Sequence, residues 1–179
     1  MKMANIGLRF RGKYKLLNGK DFFGQILDIP DTSRVSNFFS ARRYLRVNRN
    51  SEIKPTDVVI VDKQKYIVGD HGTGFFKDSI YKHFKLFYVD LELNIYRRTE
   101  TVNPVTGVKQ KSSKSTSIGK AYLSVQPKGS LNDSINIPTP QHVVISDKQL
   151  FIDDLLGDHW IVTDVDYQLG IYVAEVKEK

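Results

Sequence analysis

The stretch of residues 80–98, IYKHFKLFYVDLELNIYRR, constrains the fold more than any other part of the chain. Its apolar side chains recur at every second residue, which is typical of a β-strand with one buried face. They occupy even-numbered positions up to Leu86 and odd-numbered positions from Phe87 onward. Because consecutive side chains of a strand point to opposite faces, the buried face must switch near these two residues. A β-bulge, or a strand that leaves one sheet and enters another, would produce such a switch.

We interpret the switch as the junction between two structural units, residues 1–88 and residues 89–179. A pattern that occurs once in each unit supports this division. Residues 57–70, DVVIVDKQKYIVGD, and residues 153–166, DDLLGDHWIVTDVD, both run from an acidic residue through a β-prone segment and a polar turn to an aromatic residue that opens a second β-prone segment. Internal duplication would explain the repeat, and so would coincidence between two ordinary β-hairpins.

The other strong signals along the chain also predict strands. Asn18-Gly19 lies between two β-prone segments and supplies the positive φ angles of a tight hairpin turn. Residues 31–40 are ambiguous, because Ser33 could cap a short helix there. The sequence therefore predicts an all-β fold of two tandem small β-barrel or sandwich-like units, with long loops and little helix. Units of roughly 90 residues have small cores and are marginally stable alone.

Several functional classes are disfavoured by the sequence. The chain contains no Cys, which excludes disulfides and thiolate metal sites. It has no signal peptide and no apolar stretch long enough to span a membrane, so we expect it to stay in the compartment where it is made. Residues 69–74, GDHGTG, resemble a phosphate-binding loop but lead into a predicted strand and not a helix. We accordingly predict no enzymatic activity, no catalytic residues, no cofactor and no metal site.

The charge is unevenly distributed along the chain. Residues 1–56 hold 12 Lys and Arg against 4 Asp and Glu, whereas residues 143–179 hold 3 against 8. Such a dipolar chain can bind polyanions through its basic end or stack on copies of itself. Asp153 and Asp154 are the candidates for an acidic interface.

Two basic segments are candidates for contact with DNA or with another subunit. In residues 41–50, ARRYLRVNRN, a strand would alternate Arg with an aromatic residue on one face, as small barrels do to hold single strands. Residues 109–118, KQKSSKSTSI, contain a single apolar residue and predict an extended, mobile hairpin tip. The candidate residues are Arg42, Arg43, Arg46 and Arg49 in the first segment, and Lys109, Lys111 and Lys114 in the second. A solvated sheet face, whose Arg stems cover apolar neighbours, would explain the first segment equally well.

The order of elements from residue 91 onward resembles a known family. A strand ends at Ile95-Tyr96-Arg97-Arg98, and the turn of residues 103–107, NPVTG, leads to the polar hairpin. The segment of residues 121–127, AYLSVQP, an irregular stretch and the Asp154 hairpin follow. This order is similar to the head-closure proteins of tailed bacteriophages, which are also called head–tail joining or stopper proteins. The resemblance covers roughly residues 91–176, and more weakly residues 14–90 as a second copy, in a chain about twice as long as the single-barrel form.

The resemblance implies a virion structural protein of the neck region that assembles in the host cytoplasm. It would form a homo-oligomeric ring, of twelvefold or sixfold symmetry, and would connect the portal or an adaptor to the tail proteins. Packaged DNA would pass through its channel without sequence-specific contact, and no membrane would be involved. The alternative function is that of a small β-barrel protein that binds single-stranded nucleic acid.

Overall fold

The computed structural model describes residues 12–28, 43–70, 81–127 and 142–179. Within these ranges all regular secondary structure is β-strand, which confirms the all-β prediction. The described residues form twelve strands, namely β1 (Gly12–Leu16), β2 (Asp21–Asp28), β3 (Arg43–Asn48), β4 (Val58–Val61), β5 (Gln64–Asp70), β6 (Tyr81–Tyr88), β7 (Leu91–Val102), β8 (Lys109–Pro127), β9 (His142–Ser146), β10 (Leu155–Leu156), β11 (Trp160–Gln168) and β12 (Ile171–Glu178). The ambiguous residues 31–40, Arg42 and most of the glycine-rich residues 69–74 lie outside the described residues.

The strands form two closed six-stranded barrels, as the prediction of two tandem barrels requires. The first barrel has the order β1-β2-β3-β6-β5-β4, and the second has the order β10-β11-β12-β9-β8-β7. If the six strands of each barrel are numbered one to six along the chain, both barrels have the order 1-2-3-6-5-4, the second being read in the reverse direction. Both barrels therefore share one topology, and each takes its six strands from one part of the chain. This identity favours internal duplication over coincidence.

The duplication extends to the hydrogen bonds around Asp57 and Asp154, which precede the fourth strand of each barrel. The Lys54 N–H donates to the Asp57 carboxylate at 3.0 Å, and the Phe151 N–H donates to the Asp154 carboxylate at 2.9 Å. Each carboxylate thus closes a turn over the three residues before it. Two aspartates with the same local role occupy equivalent positions in the two barrels.

The residues just before these aspartates share an unusual backbone conformation. Thr56 has a φ angle of 75° and Asp153 one of 71°, although neither is glycine. The Thr56 N–H donates to the Val68 carbonyl at 2.8 Å, and the Asp153 N–H donates to the Val162 carbonyl at 2.9 Å. Both carbonyls belong to the fifth strand of their barrel. The strained turn is therefore a repeated feature of the fold.

The barrel interiors are filled by aliphatic and aromatic side chains. The first core comprises Leu45, Val47, Ile53, Val59, Val61, Tyr66, Val68, Phe84 and Leu86. The second comprises Ile95, Ala121, Leu123, Val144, Leu150, Leu156, Val162, Ala174 and Val176. Inward-facing residues alternate with outward-facing ones along each strand, as the period-two pattern predicts.

A third apolar cluster joins the outer faces of the two barrels. This inter-barrel cluster contains Val58, Ile67, Phe87 and Val89 on the side of the first barrel and Val143, Ile145, Ile171 and Val173 on the side of the second. Gly170, in the β11–β12 turn, faces Pro55 so closely that a Cβ atom there would lie 2.6 Å from the Pro55 Cβ. Glu92 adds a polar link by pairing with Lys65 of the first barrel and Lys120 of the second. The barrels are therefore packed against each other along their sides.

The inter-barrel cluster explains the change of phase near residues 86–87. Leu86 points into the first barrel, and Phe87 points outward into the inter-barrel cluster. Of the two causes considered for this change, a bulge is absent from β6 (81–88), because the registers of β6 with β3 and β5 run without a shift. Both faces of the strand are buried at this point, one by its own barrel and the other by its neighbour. The chain then enters the second barrel at Leu91.

Candidate assembly interface

The hairpin of β7 and β8 extends far beyond the wall of the second barrel. Ile95 pairs with Leu156 at barrel closure, and the equivalent pair in the first barrel is Leu16 with Val59. In the first barrel the strand ends at Leu16 and the chain returns through only four residues, 17–20. In the second barrel the strands continue, and residues 96–118 form a two-stranded projection that has no counterpart in the first. We call this projection the ribbon.

The turn of the ribbon lies at residues 103–108. The Asn103 N–H donates to the Val108 carbonyl at 2.9 Å, and the Asn103 side chain accepts the Val105 N–H at 2.9 Å. The prediction of a mobile tip at residues 109–118 needs correction, since these residues are one paired arm of the ribbon. Their polar composition suggested a tip. In the structure this composition is explained by a paired strand that is exposed on both faces.

No ribbon side chain that the structure describes is buried. Three valines at or beside the turn are exposed to solvent, namely Val102 at 56%, Val105 at 90% and Val108 at 55%. Ile118, at the base of the ribbon, is 45% exposed. Apolar side chains on both sides of a projecting turn form a small hydrophobic tip that nothing within the described chain covers.

The ribbon is also strongly basic. Residues 96–118 contain five Lys and Arg against one Asp or Glu, and residues 101–118 contain no acidic residue. The predicted candidates Lys109 and Lys114 are exposed on it, and the backbone of Lys111 pairs with that of Glu100. The three predicted lysines thus belong to one strand of the ribbon, and Lys109 directly follows the exposed Val108.

The edges of the ribbon are poorly suited to pairing with a further strand. The β7–β8 register shifts between Ile95 and Tyr96 and again between Arg98 and Glu100. Pro104 and the lysines add features that natural proteins use to block edge pairing. We therefore expect the ribbon to contact partners through the side chains of its tip and faces.

At the base of the ribbon, the half-buried Arg97 forms an ion pair with the buried carboxylate of Asp154. The guanidinium donates to both carboxylate oxygens, at 2.8 Å and 2.7 Å, and lies 4.0 Å from the centre of the Phe151 ring. Hydrogen bonding to Asp154 raises the pKa of Arg97 above its ordinary value. Because Asp154 is 1% exposed, its carboxylate is used internally and cannot form an exposed acidic interface as the sequence predicts. Asp153, by contrast, is exposed.

The predicted arginines of the first barrel have separate roles. Arg43, at the barrel end, donates to Asp28 and to the Tyr66 hydroxyl, both at 2.8 Å. The hydrogen bond to Asp28 raises the pKa of Arg43.

Arg46 lies on the outer face, where its guanidinium stacks 3.9 Å from the centre of the Tyr81 ring. Arg49 is exposed in the turn after β3 (43–48). The described arginines therefore do not form one continuous row, since the side chain of Arg43 points inward and those of its neighbours point outward.

An open cleft of about 370 Å³ borders both barrels. It is lined by Leu16, Leu17, Asn18, Thr56, Asp57, Val58 and Asp147. Sequence reasoning missed this site, because Asp147 is separated from the other lining residues by about half of the chain. The repeated aspartate motif could have drawn attention to Asp57, but no local signal connects it to Asp147.

Comparison of the chain with protein-family models, with curated proteins and with solved structures finds no match. Among the described residues, no three His, Cys, Asp or Glu side chains are grouped so that they could hold a metal ion. The same residues include no helix of the length and apolarity needed to cross a membrane.

Proposed function

We propose that the protein is a non-enzymatic virion structural protein of the head–tail connector. Copies of it form a ring that joins the portal to the tail along the DNA channel. The observation that carries this proposal is the ribbon, an exposed basic hairpin with an apolar tip that the barrel does not need for closure. The order of elements in residues 91–176, which resembles that of head-closure proteins, supports the neck as the place of such a ring in the particle.

The energetics of the ribbon favour a role in assembly. An isolated two-stranded hairpin is at best marginally stable in water, because it buries too little apolar area to offset the entropy of ordering. Most of the described ribbon side chains stay exposed within the chain, and none of them is fully buried. Contact with another subunit would supply the missing burial, and a contact between unlike surfaces of identical subunits closes into a ring when the rotation allows it.

The rigid pairing of the barrels suits the same role. The inter-barrel cluster and the close contact of Gly170 with Pro55 fix the second barrel, and hence the root of the ribbon, relative to the first barrel. A subunit that must meet two neighbours at a defined angle benefits from such rigidity, because less conformational freedom is lost on association.

Shortening the ribbon tests the proposal. Arg98 pairs with Ser115, so replacing residues 99–114 by Asn-Gly closes a two-residue hairpin between them, similar in reach to that of the first barrel. We expect the full chain to form rings at high protein concentration, seen by native mass spectrometry and negative-stain electron microscopy, and the shortened chain to stay monomeric. A far-ultraviolet circular dichroism spectrum that differs from that of the full chain only by the loss of the removed strands would show that the barrels are folded. Rings from the shortened chain, or no ring from the full chain with or without purified portal, would contradict the proposal.

The alternative function is that of a monomeric protein that binds single-stranded nucleic acid, and the basic charge of the ribbon favours it. The effect of salt on ring formation and on nucleic-acid binding distinguishes the two functions. Binding to a polyanion weakens steeply with salt because counterions are released. A ring held by apolar contacts should persist when the salt concentration rises from 50 to 500 mM, while retention of labelled oligothymidylate falls by about a hundredfold or more. Tight oligonucleotide binding by a monomer, with no ring at either concentration, would favour the alternative.

A further inference from the structure

The cleft between the barrels has the composition of a receptor for a basic, apolar-tipped segment. Leu16 and Leu17 supply apolar surface, and Leu17 is 40% exposed. Asp57 and Asp147 supply two carboxylates at the border of this surface. A mixed site of this kind binds a partner that brings apolar side chains and a positive charge together.

The Asp147 carboxylate is half-buried, and Lys148 beside it supplies some compensating positive charge. The carboxylate accepts the Tyr122 N–H at 2.8 Å, and burial raises its pKa above the ordinary value of an aspartate. A buried carboxylate is stabilised when a cation approaches it, since the attraction offsets part of the desolvation penalty. An incoming lysine would therefore find a receptive site here.

The tip of the ribbon has the complementary composition. Val102, Val105 and Val108 provide the apolar part, and Lys109 follows directly. Residues 101–118 contain no acidic residue that would be repelled by the cleft. Because Val105 is 90% exposed, the tip does not occupy the cleft of its own chain.

We propose that the ribbon tip of one copy inserts into the inter-barrel cleft of the next copy. This inference rests on the proposed function, because it specifies the contact through which the ring closes. The two surfaces are different and lie on the same chain, so repetition of the contact generates a head-to-tail ring. Each copy gives one ribbon and receives one.

Disulfide trapping tests the contact directly, since the chain contains no Cys. Val105→Cys and Leu17→Cys are made in separate full-length chains of different mass, mixed, and oxidised. We expect the mixed dimer to be the main crosslinked product. The matched control pairs Val105→Cys with Phe23→Cys, which is 62% exposed on the first barrel but outside the cleft. Rings that form without more trapping at residue 17 than at residue 23 would overturn the docking site and leave the ring intact. The lack of any ring would overturn both.

The sign of the charge at the tip gives a second test. Val105→Asp and Val105→Lys remove the same exposed apolar group, so neither should affect folding. The aspartate would face Asp57 and Asp147, whereas the lysine would pair with them. We expect the dissociation constant for assembly, measured by sedimentation velocity, to be at least about tenfold larger for Val105→Asp than for Val105→Lys. Equal assembly of the two variants would show that the tip does not meet these carboxylates.

Discussion

Replacing Asp154 by alanine is expected to lower the free energy of unfolding by about 3 kcal/mol, measured by urea denaturation. The side chain is 1% exposed and accepts hydrogen bonds from the Arg97 guanidinium and from the Phe151 N–H. Its removal leaves a guanidinium without its counter-charge at the base of the ribbon. The side chain of Arg97 is 33% exposed, so part of the cost is recovered by hydration. For this reason we place the effect at the low end of the range for broken buried pairs.

The duplication provides the control for this prediction. Asp57 accepts the equivalent backbone hydrogen bond from Lys54, but the position equivalent to Arg97 is Asn18, which offers no positive charge. Asp57→Ala should therefore cost only about 1 kcal/mol, the contribution of a single hydrogen bond. The difference between the two substitutions isolates the ion pair. If both variants lose the same stability, the pair with Arg97 contributes nothing net.

Replacing Gly170 by alanine is expected to destabilise the protein by about 3 kcal/mol. Gly170 has a φ angle of 70°, in a region that costs other residues energy, and an added Cβ atom would lie 2.6 Å from Pro55. The strain and the overpacking add, because the turn cannot move without opening the contact between the barrels. The urea midpoint should fall, and hydrogen exchange should increase at amides flanking the inter-barrel cluster.

Gly107 is the matched control for Gly170. Its φ angle is 67°, nearly the same, but nothing lies within 4 Å of the position that a Cβ atom would occupy. Gly107→Ala should therefore cost only the backbone strain, about 1 kcal/mol. A similar loss from both substitutions would mean that the contact with Pro55 adapts at no cost.

Local sequence patterns predict much of the fold because strand alternation and turn chemistry are local properties. The apolar periodicity of residues 80–98 indicates two β units, and the paired segments at Asp57 and Asp154 indicate that the units are related. The division into residues 1–88 and 89–179 stays a prediction. The cause of the phase change was not predictable, because the surface that covers Phe87 comes from β9 and β12 (142–146 and 171–178), far along the chain.

The candidate site was less predictable than the fold. Composition correctly marks Lys109 and Lys114 as exposed, but it cannot distinguish a disordered tip from a two-stranded arm with both faces in solvent. Asp154 was predicted to belong to an acidic interface because acidic residues predominate in residues 143–179, and only the tertiary structure brings Arg97 to it. The cleft depends on how the two barrels pack, for which the sequence carries no local signal.

The shared topology of the barrels has a consequence for symmetry. A ring of six chains would contain twelve barrels of one topology, and its body would have approximate twelvefold pseudosymmetry if similar rotations related successive barrels. The ribbons, present on only one barrel in each pair, would keep true sixfold symmetry. Such a ring could meet a twelvefold partner on one face, one barrel against each partner subunit, and a sixfold partner on the other. Duplication followed by divergence of one hairpin would thereby let a single polypeptide adapt between assemblies of different rotational order.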